Sequence, residues 1–380
     1  MFLRPREAAM VRLLKRFVRR ESPTDSKAAV DRFGRMVAAE WRKRGARIQI
    51  LRQKNAGNHL RITWPAGRLR PNRNPQRSKQ ILVLGHLDTV YGIGTIRKMP
   101  FRVGRGRAFG PGAFDMKGGL VIALFAVDAL ANADLLPPRR ILFLWTSDEE
   151  MGSESSRELI EREARRSAAV LVLEPAQGRD GKLKTRRKAI GTAELVITGR
   201  AAHAGLNPEA GVNAVHELAL QAARLMRLNS PRRGITVNPT IAHGGTRSNV
   251  IPAEARLTLD LRTETLSDER RIERKLKTLR PILPGARVTV RGGFSRPPLE
   301  RSASAALFAH ARQIAQQIGF SLGECLAGGG SDGNFTAALG VPTLDGLGAV
   351  GEGAHSPDEQ VTVSALPQRA ALLAALLATL

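Results

Sequence analysis

Cysteine, aromatic residues and long apolar runs are scarce in this chain of 380 residues. The single cysteine, Cys325, excludes an internal disulfide and a metal site built from several thiolates, and it is typical of a reducing compartment. No run approaches the roughly 18 apolar residues of a membrane span, and residues 1–22 lack the apolar core of a secretory signal. We therefore expect a cytoplasmic protein that has no membrane partner.

Acidic residues are also scarce, with 34 against 60 basic ones, which gives a net charge of +26. Residues 1–80 carry 22 basic and 5 acidic side chains and hold most of this excess. Two interpretations are open: a surface that attracts a polyanion, or an arginine-rich solvated exterior. Aromatic residues make up only 4% of the chain. Because nucleic-acid binders often use aromatic rings for stacking, the composition does not favour a nucleic-acid partner.

The apolar pattern predicts an α/β fold. Residues 80–85, 141–147 and 168–174 are near-continuous apolar runs of strand length, and helical patterns separate them. Strands of this kind are buried on both faces, so we predict a mostly parallel sheet with helices on both faces. A Pro/Arg/Asn-rich loop is predicted over 65–78.

The pattern changes over residues 191–299, where the predicted order is βαββαβ. This order is typical of a ferredoxin-like α+β sandwich with one antiparallel sheet. Helix and strand patterns of the first kind return after about residue 300. The simplest organisation is one domain made of 1–190 and 300–380, with a second domain, 191–299, inserted into it.

Histidine and carboxylate side chains lie at the ends of the apolar runs, in a glycine-bracketed turn before a helix and in a late glycine-rich loop. They are His86 and Asp88 in GHLDTV, Asp115 in GPGAFDMKGG, Asp148, Glu149 and Glu150 in TSDEEMGS, Glu174 in LEP and His355 in GEGAHSPDE. Each alone has an ordinary explanation, such as a turn, a helix cap or a solvated loop. Since ligands bind at the carboxyl ends of parallel strands, the set together suits two hydrolytic zinc ions bridged by one carboxylate. The chain has no HExxH motif, no CxxC pair and no phosphate-binding loop of the Walker type.

The order GHLDTV, GPGAFDMKGG, TSDEEMGS, LEP, AAHAG, GGTRSNVIPAEARLTLDLR, GGGSD and GAHS resembles that of the dinuclear zinc aminoacyl amidohydrolase family. Glutamate carboxypeptidase, acetylornithine deacetylase and succinyl-diaminopimelate desuccinylase belong to that family, and the motifs are most similar to those of the glutamate carboxypeptidase branch. The resemblance runs from about residue 6 to the C-terminus. It implies two Zn²⁺ ions per subunit, for which Co²⁺ or Mn²⁺ would also suit the ligands.

The resemblance implies a role for each of these residues. Asp115 corresponds to the ligand that bridges the two ions, His86 and Glu174 to the other ligands of one ion, and Glu150 and His355 to those of the second. A cis peptide bond after the bridging aspartate is expected between Asp115 and Met116.

Catalytic roles follow from the same resemblance. Glu149 corresponds to the general base, and Asp88 to the carboxylate behind His86. The inserted domain corresponds to a lid that also forms a homodimer, and His203 in AAHAG to a histidine that reaches the partner's site.

Substrate contacts are implied at Asn249, Arg262 and Arg296, and at the backbone of Gly329 in GGGSD. Arg262 is equally explained as an exposed strand residue in a basic chain. Lys182 lies eight residues after Glu174, at the offset of a lysine that reads an acidic side chain of the released residue. An exposed basic turn is the other explanation for Lys182.

We therefore predict a metal-dependent amide or peptide hydrolase that releases a C-terminal amino acid, glutamate first among the candidates, from a small N-acyl or peptidyl substrate. The alternative is an N-acyl-amino-acid deacylase of the acetylornithine deacetylase or desuccinylase type. A more remote alternative is a basic binding protein that keeps the fold without catalysis. The presence of a base at Glu149 beside a complete ligand set argues against the hypothesis of a non-catalytic binding protein.

Overall fold

A computed structural model describes residues 2–65 and 79–380, so the loop predicted over 65–78 lies outside the described residues apart from Pro65. The strands are β1 (Arg47–Leu51), β2 (His59–Trp64), β3 (Gln80–His86), β4 (Arg102–Gly104), β5 (Arg107–Phe109), β6 (Ile141–Thr146), β7 (Ser167–Val172), β8 (Leu183–Arg187), β9 (Ala189–Thr198), β10 (Thr236–Gly244), β11 (Glu254–Thr263), β12 (Arg287–Arg296), β13 (Glu324–Ala327), β14 (Thr343–Leu344), β15 (Gly351–Glu352) and β16 (Gln360–Thr362). The α-helices are α1 (Glu7–Val18), α2 (Lys27–Arg42), α3 (Thr95–Lys98), α4 (Gly118–Asn132), α5 (Arg157–Arg165), α6 (Ala214–Met226), α7 (Leu266–Lys277), α8 (Arg301–Ile318), α9 (Gly333–Ala338) and α10 (Ala365–Thr379). None of these helices is long and apolar enough to cross a membrane.

The chain divides into two compact units. The first comprises Met1–Arg186, Glu300–Ala327 and Ser331–Leu380, and the second comprises Arg187–Leu299 with Gly328–Gly330. The first join therefore falls four residues before the predicted position at 190/191. The reason is local: β8 is followed almost directly by β9, so no turn-rich segment marks the boundary in the sequence.

The first unit is built on a six-stranded sheet in the order β1-β2-β6-β3-β7-β14. β3 pairs in parallel with β6 and β7, and β14 pairs in parallel with β7, while β1 and β2 are antiparallel. The sheet is thus mainly parallel, as the apolar runs predict.

Both faces of this sheet are covered. On β3, Ile81 and Val83 pack into a large cluster with α1, α2, α4 and α10, whereas Leu82 and Leu84 pack into a second cluster with α5 and α9. Successive side chains of a strand point to opposite faces, so an uninterrupted apolar run serves both layers.

The second unit contains the antiparallel sheet β10-β11-β9-β12. Its element order, β9-α6-β10-β11-α7-β12, is the βαββαβ arrangement expected from the sequence. Alternating residues of β11, among them Leu257, Leu259 and Leu261, are buried with Ile272 and Leu276 of α7. One face of the sheet therefore carries the core of this unit.

Two small sheets of the first unit were not predicted. One has the order β15-β16-β5-β4 and the other pairs β13 with β8. The hairpin of β4 and β5 is formed by RVGRGRAF, whose glycines and arginines resemble a loop rather than a strand. Pairing of β5 with β16 brings the segment before Asp115 alongside the segment after His355.

Candidate metal centre

His86 and Asp88 lie at the carboxyl end of the central strand β3. Both side chains are buried, and His86 Nδ1 lies 3.4 Å from Asp88 Oδ1 and 3.0 Å from the Asp88 carbonyl oxygen. The opposite ring nitrogen, Nε2, lies 3.3 Å from Asp115 Oδ1 and 3.3 Å from Glu174 Oε1. A histidine held on one nitrogen by a carboxylate and a carbonyl presents its other nitrogen in a fixed direction, as metal-binding histidines do.

Asp115 lies between two histidines. Its Oδ1 faces His86, and its Oδ2 lies 3.5 Å from His355 Nε2. The peptide bond between Asp115 and Met116 is cis, as the motif order led us to expect. The Asp115 carboxylate points one oxygen toward each of the two histidines. This is the arrangement of a ligand that bridges two metal ions.

Glu149 and Glu150 occupy a short 3₁₀ turn directly after β6. The backbone N–H groups of both residues donate to the Asp88 carboxylate, at 3.4 and 3.2 Å. Glu150 Oε2 lies 3.2 Å from His355 Nε2. Glu149 instead belongs to a group with His86 and Glu174 whose donor atoms lie within 4.8 Å of one another. Glu150 also belongs to a second such group, with His86 and Asp115, so both glutamates lie near His86 and Glu150 contacts His355 as well.

Glu174 follows β7 at the same sheet edge. Helix α4 packs closely against the end of β7 at Gly119. A Cβ at this position would lie 2.3 Å from the carbonyl oxygen of Leu173, so only glycine fits here. Gly348 also approaches here, and its N–H donates to the Glu174 carbonyl at 2.9 Å. Small residues at both positions allow α4 and the 346–348 segment to reach the end of β7.

His355 comes from the loop between β15 and β16. Its φ of +61° is unusual for a residue other than glycine, and backbone of this kind clusters at functional sites. The side chain is 50% exposed, which makes it the most accessible member of the group. The loop, rather than the core, must therefore hold this histidine in place.

The donor set fits a metal. Among the described residues, three buried polar atoms of this group have no hydrogen-bond partner, namely His86 Nε2, Asp115 Oδ1 and Glu150 Oε1. Buried polar atoms normally have a hydrogen-bond partner. Three such atoms without a partner in one group are explained by a metal ion that binds them. Imidazole nitrogens and carboxylate oxygens are ligands that zinc and related divalent ions accept.

Electrostatics support the same conclusion. Burial opposes a charge on His86, but its contacts with Asp115, Asp88 and Glu174 outweigh burial and raise its pKa well above the ordinary value. Contacts with Asp115 and Glu150 raise the pKa of His355 to about 10. The carboxylates of the site thus favour positive charge at both imidazoles. A bound cation would compensate the charge of these carboxylates and displace protons from the imidazoles.

A buried polar network behind the two glutamates was missed in the sequence. The Asp148 carboxylate accepts hydrogen bonds from Ser155 and Ser156, at 2.7 to 2.8 Å. Asp332 accepts from Ser153 at 2.5 Å and from Thr146 at 3.2 Å. The only available signal was the serine-rich segment after TSDEEMGS, which resembles an ordinary solvated loop. The network fixes the segment that carries Glu149 and Glu150.

The remaining predicted residues, apart from Lys182, belong to the second unit. His203 is exposed and its Nδ1 accepts the N–H groups of Gly205 and Leu206, both at 3.1 Å. Asn249 lies beside it, since the Asn249 carbonyl accepts the N–H of Ala204 at 2.9 Å. The structure thus brings these two predicted residues into neighbouring loops.

Arg262, Arg296 and Gly329 have different surroundings. Arg262 pairs with Asp260 on the same strand, with its Nη2 at 2.8 Å from Oδ2 and 27% of its side chain exposed. Arg296 is buried, and its Cδ lies 3.1 Å from where a Cβ on Gly330 would stand. Arg187, which was not predicted, donates to the carbonyls of Gly329 and Gly330 at 3.1 and 3.0 Å. The glycine-rich segment and Arg296 are therefore neighbours.

Lys182 lies in the first unit, in the turn before β8. Its Nζ pairs with Asp180 at 3.0 Å, and the side chain is 45% exposed. The side chain is therefore half-exposed and has an acidic neighbour.

Sequence comparisons place this chain in a known class of metal-dependent hydrolases. The model of the peptidase family M20/M25/M40 matches residues 82–379. Carboxypeptidase G2 from a Pseudomonas species (strain RS-16) is 33% identical over 379 residues, which cover 98% of this chain and 89% of that protein. A succinyl-diaminopimelate desuccinylase from Dechloromonas aromatica is 28% identical, with 76% of this chain and 80% of that protein covered.

Solved structures agree on the fold. An aminopeptidase from Bacillus cereus superimposes with a TM-score of 0.79 at 22% identity, and the match covers 98% of each chain. The chain belongs to the peptidase family M20/M25/M40, a family of metal-dependent peptidases and amidohydrolases. The resemblance seen in the motif order is thereby confirmed.

Proposed function

We propose that this protein uses two zinc ions to hydrolyse an amide bond and release a C-terminal glutamate from an N-acyl or peptidyl substrate. The observation that carries the proposal is the position of Asp115, whose two carboxylate oxygens face His86 and His355 respectively. The similarity to carboxypeptidase G2 supports a carboxypeptidase reaction.

The chain would hold one ion with His86, Asp115 and Glu174, and the other with Asp115, Glu150 and His355. When bound, such ions lower the pKa of a water molecule toward about 7 and stabilise negative charge on the carbonyl oxygen under attack. Co²⁺ or Mn²⁺ would suit the same ligands.

Glu149 is the general base in this proposal. Its carboxylate lies near His86 and Glu174, whereas Glu150 contacts His355. Glu149 accepts a proton from the attacking water and then gives it to the nitrogen of the leaving amino acid. A carboxylate that moves this proton contributes about 10²–10⁴-fold to the rate. Asp88 supports the step by holding both His86 and the backbone of Glu149.

Substrate recognition is assigned to Lys182, Asn249, Arg262, Arg296 and the backbone of Gly329. Arg296 is a suitable clamp for a substrate carboxylate because a guanidinium can bind both oxygens at once. Lys182 would exchange Asp180 for an acidic side chain of the leaving residue. Arg262 would likewise have to exchange Asp260 for a group of the substrate.

We also propose that the second unit acts as a lid and forms a homodimer, with His203 reaching the partner's site. β10 lies at an edge of the described sheet, and Ile241 on that strand is 53% exposed. An exposed edge strand is a template for pairing with a second chain. Sedimentation analysis should give a dimer for the wild-type chain, and Ile241→Lys should shift it toward the monomer. A monomeric wild type would contradict this part of the proposal.

A substrate panel tests the reaction. N-acyl-Glu, N-acyl-Asp, N-acyl-Ala and N-acetylornithine should be assayed with metal quantification in the same samples. We expect release of free glutamate to be fastest, to stop when a chelator removes the metal, and to return when zinc is added. Activity that survives complete metal removal would contradict the proposal.

The similarity to succinyl-diaminopimelate desuccinylase favours one alternative, an N-acyl-amino-acid deacylase. It requires the same metal ligands and base but a different leaving amine. Preference for N-acetylornithine or an N-succinyl diamino acid over N-acyl-Glu in the same panel would establish this alternative.

A further inference from the structure

Glu359 is a buried carboxylate that the proposed mechanism does not use. It lies four residues after His355 and is fully buried. Its Oε1 accepts the backbone N–H groups of Phe114 and Asp115 at 2.7 and 2.9 Å, and its Oε2 accepts the N–H of Gly112 at 3.0 Å. Among the described residues, no lysine or arginine forms an ion pair with it. The Tyr91 hydroxyl is a further neighbour of this carboxylate, and the three backbone N–H groups tie it to the Asp115 turn.

The backbone of this turn cannot pair its own N–H groups in a regular way. Asp115 has φ −113° and ψ 99°, and Met116 is also outside the helical region. Gly112 has a positive φ of 71°. Buried N–H groups need acceptors, and three of them find one in Glu359. The direction in which the Asp115 side chain leaves the backbone thus depends on this carboxylate.

Glu359 also belongs to the loop that carries His355. It directly precedes β16, where Gln360 pairs with Phe109 on β5, and its carbonyl accepts the N–H of Gly110 at 3.2 Å. The His355 side chain is half-exposed, and its ring contacts Asp115 and Glu150, so its position depends on the loop and on these two carboxylates. One residue therefore joins the backbone of Asp115 to the backbone of His355.

The other proposed ligands are held by different groups. His86 is at the end of a buried strand and is fixed by Asp88, whose carboxylate also accepts the N–H of Glu150. Glu174 is fixed by the approach of Gly348. Disturbance at Glu359 should therefore be felt most where Asp115 and His355 act together.

We infer that Glu359 is a positioning residue that sets the separation of Asp115 and His355, and thereby the affinity of the ion held by Asp115, Glu150 and His355. This inference rests on the proposed two-ion site. A supporting residue behind metal ligands typically changes metal affinity about 10–100-fold when it is altered.

The test compares Glu359→Gln with a matched control, Glu163→Gln. Glutamine keeps the size of the side chain but offers one acceptor oxygen, so its NH₂ group would oppose a backbone N–H. Glu163 is also a buried acid of the first unit, with Gln80 Nε2 at 2.9 Å and Arg61 Nε at 3.1 Å. Both variants lose hydrogen bonds in the interior, but only one loses them at the Asp115 turn. Stepwise zinc affinities of the apoprotein are measured by competition with a chelator, together with the unfolding free energy.

Both variants should be less stable than the wild type. Only Glu359→Gln should weaken zinc binding, with one step weakened by about 10-fold or more and the other weakened less, because Asp115 is a proposed ligand of both ions. The step weakened most should be the one that His355→Ala abolishes. If Glu359→Gln does not fold, Glu359→Asp keeps the charge with a shorter side chain and should show the same selective loss at smaller size.

Two results would overturn the inference. One is wild-type zinc affinity at both steps in a destabilised Glu359→Gln, and the other is an equal loss of affinity in Glu163→Gln. A wild-type chain that does not bind two zinc ions would be distinguishable from both, because it would overturn the proposed function itself.

Discussion

Replacement of Asp88 by asparagine should weaken both the fold and the metal site. The Asp88 side chain is fully buried, and Oδ2 accepts the Thr24 hydroxyl at 2.8 Å and the N–H of Glu150 at 3.2 Å. Oδ1 accepts the N–H of Glu149 at 3.4 Å and faces His86 Nδ1. In Asp88→Asn, an NH₂ group must replace one of these oxygens. Whichever oxygen is replaced, one backbone N–H loses its acceptor.

The size of the effect follows from these contacts. A buried donor left without an acceptor costs about 1–3 kcal/mol, so the apoprotein should lose about that much of its unfolding free energy. His86 also loses the negative charge behind its ring. Loss of such a partner lowers metal affinity about 10–100-fold, and the loss should fall on the ion that His86 binds.

Urea unfolding of the apoprotein and chelator competition for zinc measure the two effects separately. Asp128→Asn is the control, because Asp128 pairs with Arg44 at 2.8 Å while keeping 29% of its side chain exposed. Such a surface pair contributes about 1 kcal/mol or less, and zinc affinity should not change. If Asp88→Asn matched this control in both measurements, the role assigned to Asp88 would be refuted.

Three further outcomes are expected. Glu149→Gln should keep two zinc ions and lose about 10²-fold or more in turnover. Glu150→Gln should lose one zinc ion. If elemental analysis gave the reverse metal contents, the two roles would be exchanged. Gly119→Ala should lower the unfolding free energy measured in urea by about 1–3 kcal/mol, because the new Cβ would lie 2.3 Å from a backbone carbonyl oxygen. Gly92→Ala is the control and should not change the unfolding free energy, because a Cβ there would lie in open space. Burial lowers the pKa of His59 below 6.5, so the unfolded chain takes up this proton first and stability falls as pH drops below that value. His59→Gln should flatten this part of the stability–pH curve, and an unchanged slope would contradict the assignment.

Three of the proposed metal ligands could be predicted because each follows an apolar run that has few alternatives to a buried strand. His86 and Glu174 come directly after β3 and β7, and Glu150 after β6, so the parallel sheet brings them to one edge. The same reasoning predicted the sheet and the βαββαβ unit, whose alternating or continuous apolar patterns are local properties of the chain.

Glu359 could not be predicted in this way. In GEGAHSPDE it looks like any acid of a solvated loop, and its burial depends on a turn 244 residues earlier in the chain. The hairpin of β4 and β5 was missed for a similar reason, since its short strands are stabilised by pairing with β16 rather than by their own composition. Contacts between distant segments that leave no periodic pattern are the part of the structure that a single sequence does not reveal.

The most direct measurement of the central claim is anomalous X-ray diffraction from crystals of this protein grown with zinc. Two peaks are expected, one among His86, Asp115 and Glu174, and one among Asp115, Glu150 and His355. A map without a peak in this group, or with a single peak that Asp115 does not contact, would contradict the two-ion site.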